Sequence, residues 1–325
     1  MPGVSLAARP VLVVTHLDDV TADLVVAQLH DRAVPVVRLD PADCPDEMGM
    51  DAYLDGSGLT GTVTTSSREL RLDQVRAVYW RRPSPWRAAA GLEGESAEWA
   101  LEQTRWGLGG VLASLPGALY VNHPWRIRDA EAKVAQLATA GACGFNVPAT
   151  VITTDPAVAA KFIARHGPIV YKPLWNTPWT GPDGRARTVW VRHVEPGELD
   201  DTIGTCPHLL QAAVDKVADL RITAVGRQLI AVRIDGAAGL DWRENYDQLR
   251  YTQIDTPPQI AAAISAYLER FGLTYAAFDL GLDRHGAVWW YEANANGQWA
   301  FYDDPINDQI AQALAAVLEK GTISR

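Results

Sequence analysis

Residues 276–297, AAFDLGLDRHGAVWWYEANANG, hold the densest set of chemically capable side chains in the sequence. Two apolar runs flank the turn Asp283-Arg284-His285-Gly286, the pattern of a β-hairpin. With a four-residue loop at 284–287, Asp279 falls directly opposite Glu292; with a three-residue loop it is displaced by one position and stays within reach. Glu292 and Asn294 are two apart and so share a face of their strand. Two carboxylates and an amide oxygen on one patch are hard donors of the kind Mg²⁺ takes together with substrate phosphates and water. The plain alternative is a solvated pair near a turn. Phe278, Leu280, Trp290 and Tyr291 around the carboxylates argue against it, because unpaired carboxylates are costly to bury.

Cationic side chains suited to phosphate recur upstream. The apolar stretch Pro168–Pro173 ends a strand in Lys172, and Lys133 lies on a helix after Asp129. Asp219-Leu220-Arg221 opens one strand, Arg233 ends the next, and Arg243 follows in Asp241-Trp242-Arg243. Three arginines in one strand-rich unit could neutralise a triphosphate or an acyl phosphate. Solvated helix lysines and surface ion pairs are the ordinary alternatives for each.

The elements that must position these groups begin with a βαβ opening: a strand at Val11–Val14, a helix capped by Asp19 or Thr21, and a strand at Val34–Leu39. This predicts a parallel, Rossmann-like first layer. No G-x-G-x-x-G follows the first strand, so it does not read as a dinucleotide site. A hairpin is expected within 56–72, a strand at Ala77–Trp80, a helix from Ser96 to Ser114 and a strand at Leu119–Val121. A helix over Asp129–Ala140 then leads into a small α+β unit with strands at Val147–Ile152, Pro168–Lys172 and Thr188–His193. Strands at His208–Val214, Leu220–Val225 and Leu229–Ile234, a helix over 258–271, the hairpin and a final helix at Pro305–Lys320 complete the reading. The fold class is α/β (α+β), divided at 1–118, 119–207 and 208–325.

The totals bound the partners. The 325 residues suffice for two or three packed units. The 29 basic and 39 acidic residues give a net charge of −10, which argues against non-specific nucleic-acid or anionic-membrane binding. A focused phosphate site at clusters such as Trp80-Arg81-Arg82 stays compatible with that charge. Cys44, Cys143 and Cys206 are distant and odd in number, so neither a disulfide framework nor a structural zinc site is expected, only reduced, partly buried thiols. No signal peptide and no stretch of about 20 apolar residues is seen, so a cytoplasmic location is expected. Loop tryptophans beside Arg, Pro or Gly (Trp86, Trp125, Trp175, Trp179, Trp242 and Trp299) read as contact surface for a ligand or peptide.

In this order, the motifs resemble the ATP-grasp superfamily: Lys133; Gly144-Phe145-Asn146-Val147-Pro148; Lys172-Pro173; the strand Leu209–Val214; Asp219 with Arg221; then Asp279, Glu292 and Asn294. The resemblance covers residues 119–318 as the grasp proper, with 1–118 as a pre-ATP-grasp domain. Glu292–Trp299 (EANANGQW), Val78–Pro83 (VYWRRP) and Asp241–Arg243 are similar to the graspetide maturases, which cyclise ribosomal peptides through esters or amides, and to their actinobacterial branch in particular.

By that resemblance the cofactors are ATP and Mg²⁺. Lys133 and Lys172 would hold the phosphates, Gln211, Ala213 and Val214 would line the adenine hinge, and Asp215 would meet the ribose. Asp279, Glu292 and Asn294 would bind Mg²⁺, while Arg221, Arg233 and Arg243 would face the γ-phosphate and acyl phosphate. The loop 174–187 would cover the triphosphate, although it carries Trp175, Pro178 and Trp179 with only Gly181 and Gly184. The implied partner is a precursor peptide with a leader and a core containing Thr/Ser and Asp/Glu, and a homodimer is expected by analogy. The alternatives are an intermolecular ligase adding an amino acid to a peptide or protein, and a nucleotide-binding module without turnover.

Overall fold

The computed structural model describes residues 9–56, 58–175, 179–237, 239–244 and 246–322. The apolar run Val11–Val14 forms β1 and is wholly buried. Asp19 caps α1 (Val20–Asp31) by accepting from the Ala22 N–H, which satisfies one orphan donor of the first turn. β2 (Val36–Leu39) runs parallel to β1. β3 (Met48–Asp55), β4 (Gly58–Thr65) and β5 (Glu69–Arg71) form a separate antiparallel meander. Only β4 and β5 fall within the expected hairpin. β3 was not expected, although Met48, Met50, Ala52 and Leu54 alternate with Gly49, Asp51, Tyr53 and Asp55; only Met48 of these is fully buried. β6 (Ala77–Trp80), α2 (Gly94–Leu112) and β7 (Leu119–Val121) complete a parallel sheet of order β2-β1-β6-β7. The first unit therefore runs through Val121 and not only to residue 118, because β7 pairs with β6.

Past β7 the expected helix over Asp129–Ala140 is two helices, α3 (Pro124–Glu131) and α4 (Lys133–Ala142). They meet at Ala132, whose backbone is extended (φ −69°, ψ 106°). The middle sheet has the order β12-β9-β13-β8 and contains β8 (Thr150–Thr153), β9 (Ile169–Lys172), β12 (Arg192–Val194) and β13 (His208–Ala212). α5 (Pro156–His166) packs on it through Ala159 and Ile163. A two-residue-wide hairpin, β10 (Trp179–Thr180) with β11 (Ala186–Arg187), precedes β12. Residues 176–178 of the expected covering loop, Pro178 among them, lie outside the described residues. β13 pairs with β8 and β9, so it belongs to the middle unit and the boundary expected at 207/208 falls after it.

The third sheet is antiparallel, β16-β15-β14-β17-β18, built from β14 (Lys216–Val225), β15 (Gln228–Asp235), β16 (Arg250–Ile254), β17 (Tyr275–Asp283) and β18 (Val288–Asn294). On one face α6 (Pro258–Phe271) brings Ile260, Ile264 and Tyr267 against Phe278 and Trp290. On the other face α7 (Asp304–Lys320) shares a core with β1 and α1, through Ile310, Leu314, Val25 and Trp299. This shared core joins the first sheet to the third. Trp299 is 0% exposed and lines neither cavity, so this loop tryptophan is core and not contact surface, whereas Trp242 packs into the same core and also lines both cavities described below. Trp125, Trp175 and Trp179 do lie exposed.

Asn122 ties the same units together. Its Nδ2 donates to the carbonyls of Tyr275 (2.7 Å) and Ala295 (2.6 Å), and its Oδ1 accepts from the N–H groups of Thr274 (2.7 Å) and Tyr275 (3.0 Å). One buried side chain thereby fixes the start of β17 against the segment that follows β18.

Candidate active site

The acidic cluster depends on a register shift in the β17–β18 hairpin. From the turn outward, Leu282 pairs with Val288, Gly281 with Trp289 and Leu280 with Trp290. Continued, that register would set Asp279 opposite Tyr291. Tyr291 instead forms a bulge, and the next pairs are Asp279 with Glu292, Phe278 with Ala293 and Ala277 with Asn294. The bulged ring lies over Gly281, where an added Cβ would meet the Tyr291 hydroxyl at 2.1 Å. The GFNVP segment braces the hairpin: the Trp290 N–H donates to the Asn146 carbonyl (2.8 Å), and Phe145 stacks on Phe278 (6.0 Å).

Asp279 is 5% exposed. Its Oδ2 accepts from Arg221 Nη1 (2.6 Å), Arg243 Nη2 (2.5 Å) and Asn294 Nδ2 (3.3 Å). Its Oδ1 is buried and has no hydrogen-bond partner among the described residues. Glu292 Oε1 accepts from Asn294 (3.1 Å) and Arg243 (3.3 Å), and Oε2 lies 3.6 Å from Lys133 Nζ. Burial alone would raise the Glu292 pKa, but Arg243, Lys133 and Asn294 outweigh it and hold the carboxyl well below the usual range. Asp279 drives the Arg243 pKa up. Arg243 Nη2 bridges the two carboxylates. The orphaned Asp279 Oδ1, Glu292 and an amide that can turn its oxygen inward fit Mg²⁺, which completes its shell with phosphate and water. Among the described residues no group of three or more His, Cys, Asp or Glu offers a self-sufficient metal cage.

Two cavities meet at this cluster. The first, about 330 Å³, lies between the middle and third sheets and is lined by Lys172, Gln211, Ala213, Val214, Trp190 and Tyr291. Lys172 Nζ sits 4.9 Å from the Tyr291 ring centroid, and burial pushes its ammonium down to about 8. The Gln211 side chain is tied to Thr150 Oγ1 (2.9 Å), and the Ala213 N–H is taken by the Pro168 carbonyl (2.8 Å). The second cavity, about 640 Å³, reaches from the cluster to the first unit and is lined by Arg82, Glu131, Arg221 and the segment 293–298. Lys133, Arg243 and Glu292 belong to both.

Ten of the twelve expected site residues lie at this cluster or line the cavities. Two do not. Asp215 is exposed and pairs with Arg284, outside either lining. Arg233 stands opposite Leu220, so strand alternation turns it to the face away from Arg221, where it pairs with Asp235 (2.8 Å).

Several groups at the site were given no individual role by the sequence, and Lys216 was not singled out at all. Lys216 and Asp219 line the first cavity and bind each other (2.7 Å). Burial raises the Asp219 carboxyl to about 6 despite that lysine. Arg81 is buried and reaches Asn296 (2.9 Å to its carbonyl) and Gln298, locking β6 onto the segment after β18. Arg82 points into the second cavity, and its guanidinium has no hydrogen-bond or ion-pair partner among the described residues. The WRRP string was the signal for this pair; the contacts of Arg81 with residues 296–298 separate the buried arginine from the free one.

The layout of three sheets, with a phosphate-suited lysine on each side of a cleft and a carboxylate–asparagine cluster at its floor, defines an ATP-grasp ligase with an N-terminal pre-ATP-grasp domain. Residues 10–128 match the MvdD pre-ATP-grasp domain family. No curated protein matches the sequence. A RiPP-associated ATP-grasp ligase of Chryseobacterium gregarium, solved with ADP and a leader and core peptide, superposes with a TM-score of 0.86 at 25% identity, over 95% of this chain and 96% of its own. The macrocyclase MdnC of Microcystis aeruginosa MRC, bound with precursor peptide MdnA, gives 0.83 at 25% identity, over 95% and 99%. The ATP-grasp ligase PsnB, complexed with a phosphomimetic variant of its minimal precursor, Mg and ADP, shares the fold at a TM-score of 0.74 and 21% identity, over 96% and 98%. Over nearly its whole length the chain is thus similar to RiPP-associated ATP-grasp ligases, with the MvdD pre-ATP-grasp domain at its start.

Proposed function

We propose that this enzyme cyclises a ribosomally made precursor peptide, using ATP and Mg²⁺ to activate Asp or Glu side chains and joining them to Thr/Ser hydroxyls or Lys amines. The observation that carries the reading is the wall shared by the two cavities. ATP in the first cavity would lie along the hinge strand, with its phosphates between Lys172 and Lys133. The γ-phosphate end then falls at Lys133, Arg243 and Glu292, where the second cavity begins. Arg82 supplies an unpaired guanidinium in that second cavity, suited to hold an acidic side chain. The carboxylate attacks the γ-phosphorus, giving an acyl phosphate and ADP. The hydroxyl or amine then attacks the acyl carbon and phosphate leaves.

Asp279, Glu292 and Asn294 would hold Mg²⁺, which would supply charge neutralisation at the phosphates. Arg221 and Arg243 spread the developing negative charge, and the enzyme contributes position and electrostatics without a covalent nucleophile. The likeness to a macrocyclase and a RiPP-associated ligase, both solved with their peptides, favours cyclisation and places the intermolecular ligase second. The test is intact-mass analysis of a precursor encoded in a neighbouring short reading frame, after incubation with enzyme, Mg²⁺ and ATP. Successive losses of water support cyclisation. A gain of an amino-acid residue supports the intermolecular ligase, and an unchanged peptide without ADP contradicts both.

A further inference from the structure

Glu131 lies in the second cavity for a reason visible in the backbone. In an unbroken helix, residues 131 and 133 would project about 200° apart. The extended residue Ala132 ends α3 at Glu131 and restarts the helix at Lys133, and both side chains line the same cavity. Lys133 is occupied with Glu292. Glu131 has no hydrogen-bond or ion-pair partner among the described residues, although Arg82, Lys133, Arg221 and Arg243 line the cavity with it. A carboxylate kept out of ion pairs in a cavity so rich in cations is not there to neutralise one of them. It is also unsuited to hold the acidic side chain being activated, which it would repel.

We infer that Glu131 is the general base of the second half-reaction: it accepts the proton of the attacking hydroxyl or amine as the new acyl bond forms. The inference rests on the cyclisation reading above. In the step, the nucleophile's oxygen or nitrogen bonds to the acyl carbon, the carbon–oxygen bond to phosphate breaks, inorganic phosphate leaves with that electron pair, and the proton passes to a Glu131 carboxylate oxygen and on to solvent. Although Glu131 is exposed at the cavity mouth, desolvation against the cavity wall raises its pKa, which makes it a better proton acceptor than a fully solvated glutamate.

The two half-reactions can be separated with hydroxylamine, a nucleophile that needs no base. Wild type, Glu131→Gln and Glu131→Ala are incubated with the precursor, Mg²⁺ and ATP, with and without hydroxylamine. Ring closure and hydroxamate formation are read by mass, and thermal melting monitors folding. Both variants are expected to melt like wild type and to form hydroxamate within about twofold of its rate, while ring closure falls roughly 10²–10⁴-fold, the range of a lost general base. Ring closure at the wild-type rate overturns the inference. So does an equal fall of closure and hydroxamate in a folded variant, which would assign Glu131 to binding or activation. If wild type itself closes no ring, the cyclisation reading fails first and this inference fails with it.

Discussion

Asp279 faces Glu292 because Tyr291 is looped out of the ladder between Glu292 and the turn. The extra residue does two things. It brings the second carboxylate into line with the first, and it lays an aromatic ring against Lys172 in the wall of the first cavity. The ring has room only because residue 281 lacks a side chain. Gly281→Ala should therefore push the ring into the cavity. We expect a loss of about 1–3 kcal/mol of stability from the overpacking and a raised KM for ATP with the peptide KM unchanged. Melting curves and steady-state kinetics check both parts.

Glu292→Ala removes a carboxylate that two cations and Asn294 surround. Loss of a group that only orients a metal ligand costs 10–100-fold, so loss of the ligand itself should cost at least about 100-fold in ADP release. The variant should remain folded, since the side chain is partly exposed in the cavity wall. A fully active variant would remove the metal assignment.

Arg82→Ala should act on the peptide and not on the nucleotide. Arg82 lines only the second cavity. The expected result is a KM for precursor raised roughly tenfold or more, consistent with a charged hydrogen bond of about 1.5–3 kcal/mol, and an unchanged KM for ATP. A parallel rise in both constants would show that the cavities do not divide the substrates as described.

Lys172 gives the pH dependence. Its pKa is about 8 in the folded protein against 10.5 for the free group. Between these values the unfolded chain binds more protons, so this group makes stability rise as pH increases from about 8 toward 10.5. Phosphate should restore the ammonium. ATP binding near pH 9 should then take up close to one proton and weaken as pH rises. Calorimetry in buffers of different ionisation enthalpy reads the uptake, and Lys172→Met should abolish it.

Arg233 and Arg221 look equivalent in the sequence, and their registers separate them. Arg233→Ala should change stability by less than about 1 kcal/mol, as for an exposed pair, and leave turnover intact. Arg221→Ala leaves Asp279 Oδ2 without its most buried partner and should cost about 3–5 kcal/mol. Chemical denaturation of the two variants checks the contrast.

The sequence made most of the cavity floor readable because strand alternation is short-range: Asp279, Glu292 and Asn294 fall within one hairpin. The lysines were readable from their order along the chain. Assigning Arg233 required recognising Gly226-Arg227 as a two-residue turn, which fixes the β14–β15 register and sets Arg233 opposite Leu220. The other misses have the opposite origin. The break at Ala132 has no glycine or proline to announce it, so the packing of α3 and α4 hid Glu131 from a periodicity reading. The sheet limits at β7 and β13 depend on which strands pair across long separations. The division between buried Arg81 and free Arg82 rests on residues 296–298, more than two hundred positions away.

The central claim is that a peptide carboxylate takes the γ-phosphoryl group across the wall formed by Lys133, Arg243 and Glu292. Its most direct test is isotope transfer. A precursor whose Asp and Glu side chains carry ¹⁸O is incubated with enzyme, Mg²⁺ and unlabelled ATP, and the released phosphate is analysed by mass. An acyl phosphate requires one ¹⁸O to appear in phosphate for each ring closed. Ring closure or ADP release accompanied only by unlabelled phosphate would contradict the account.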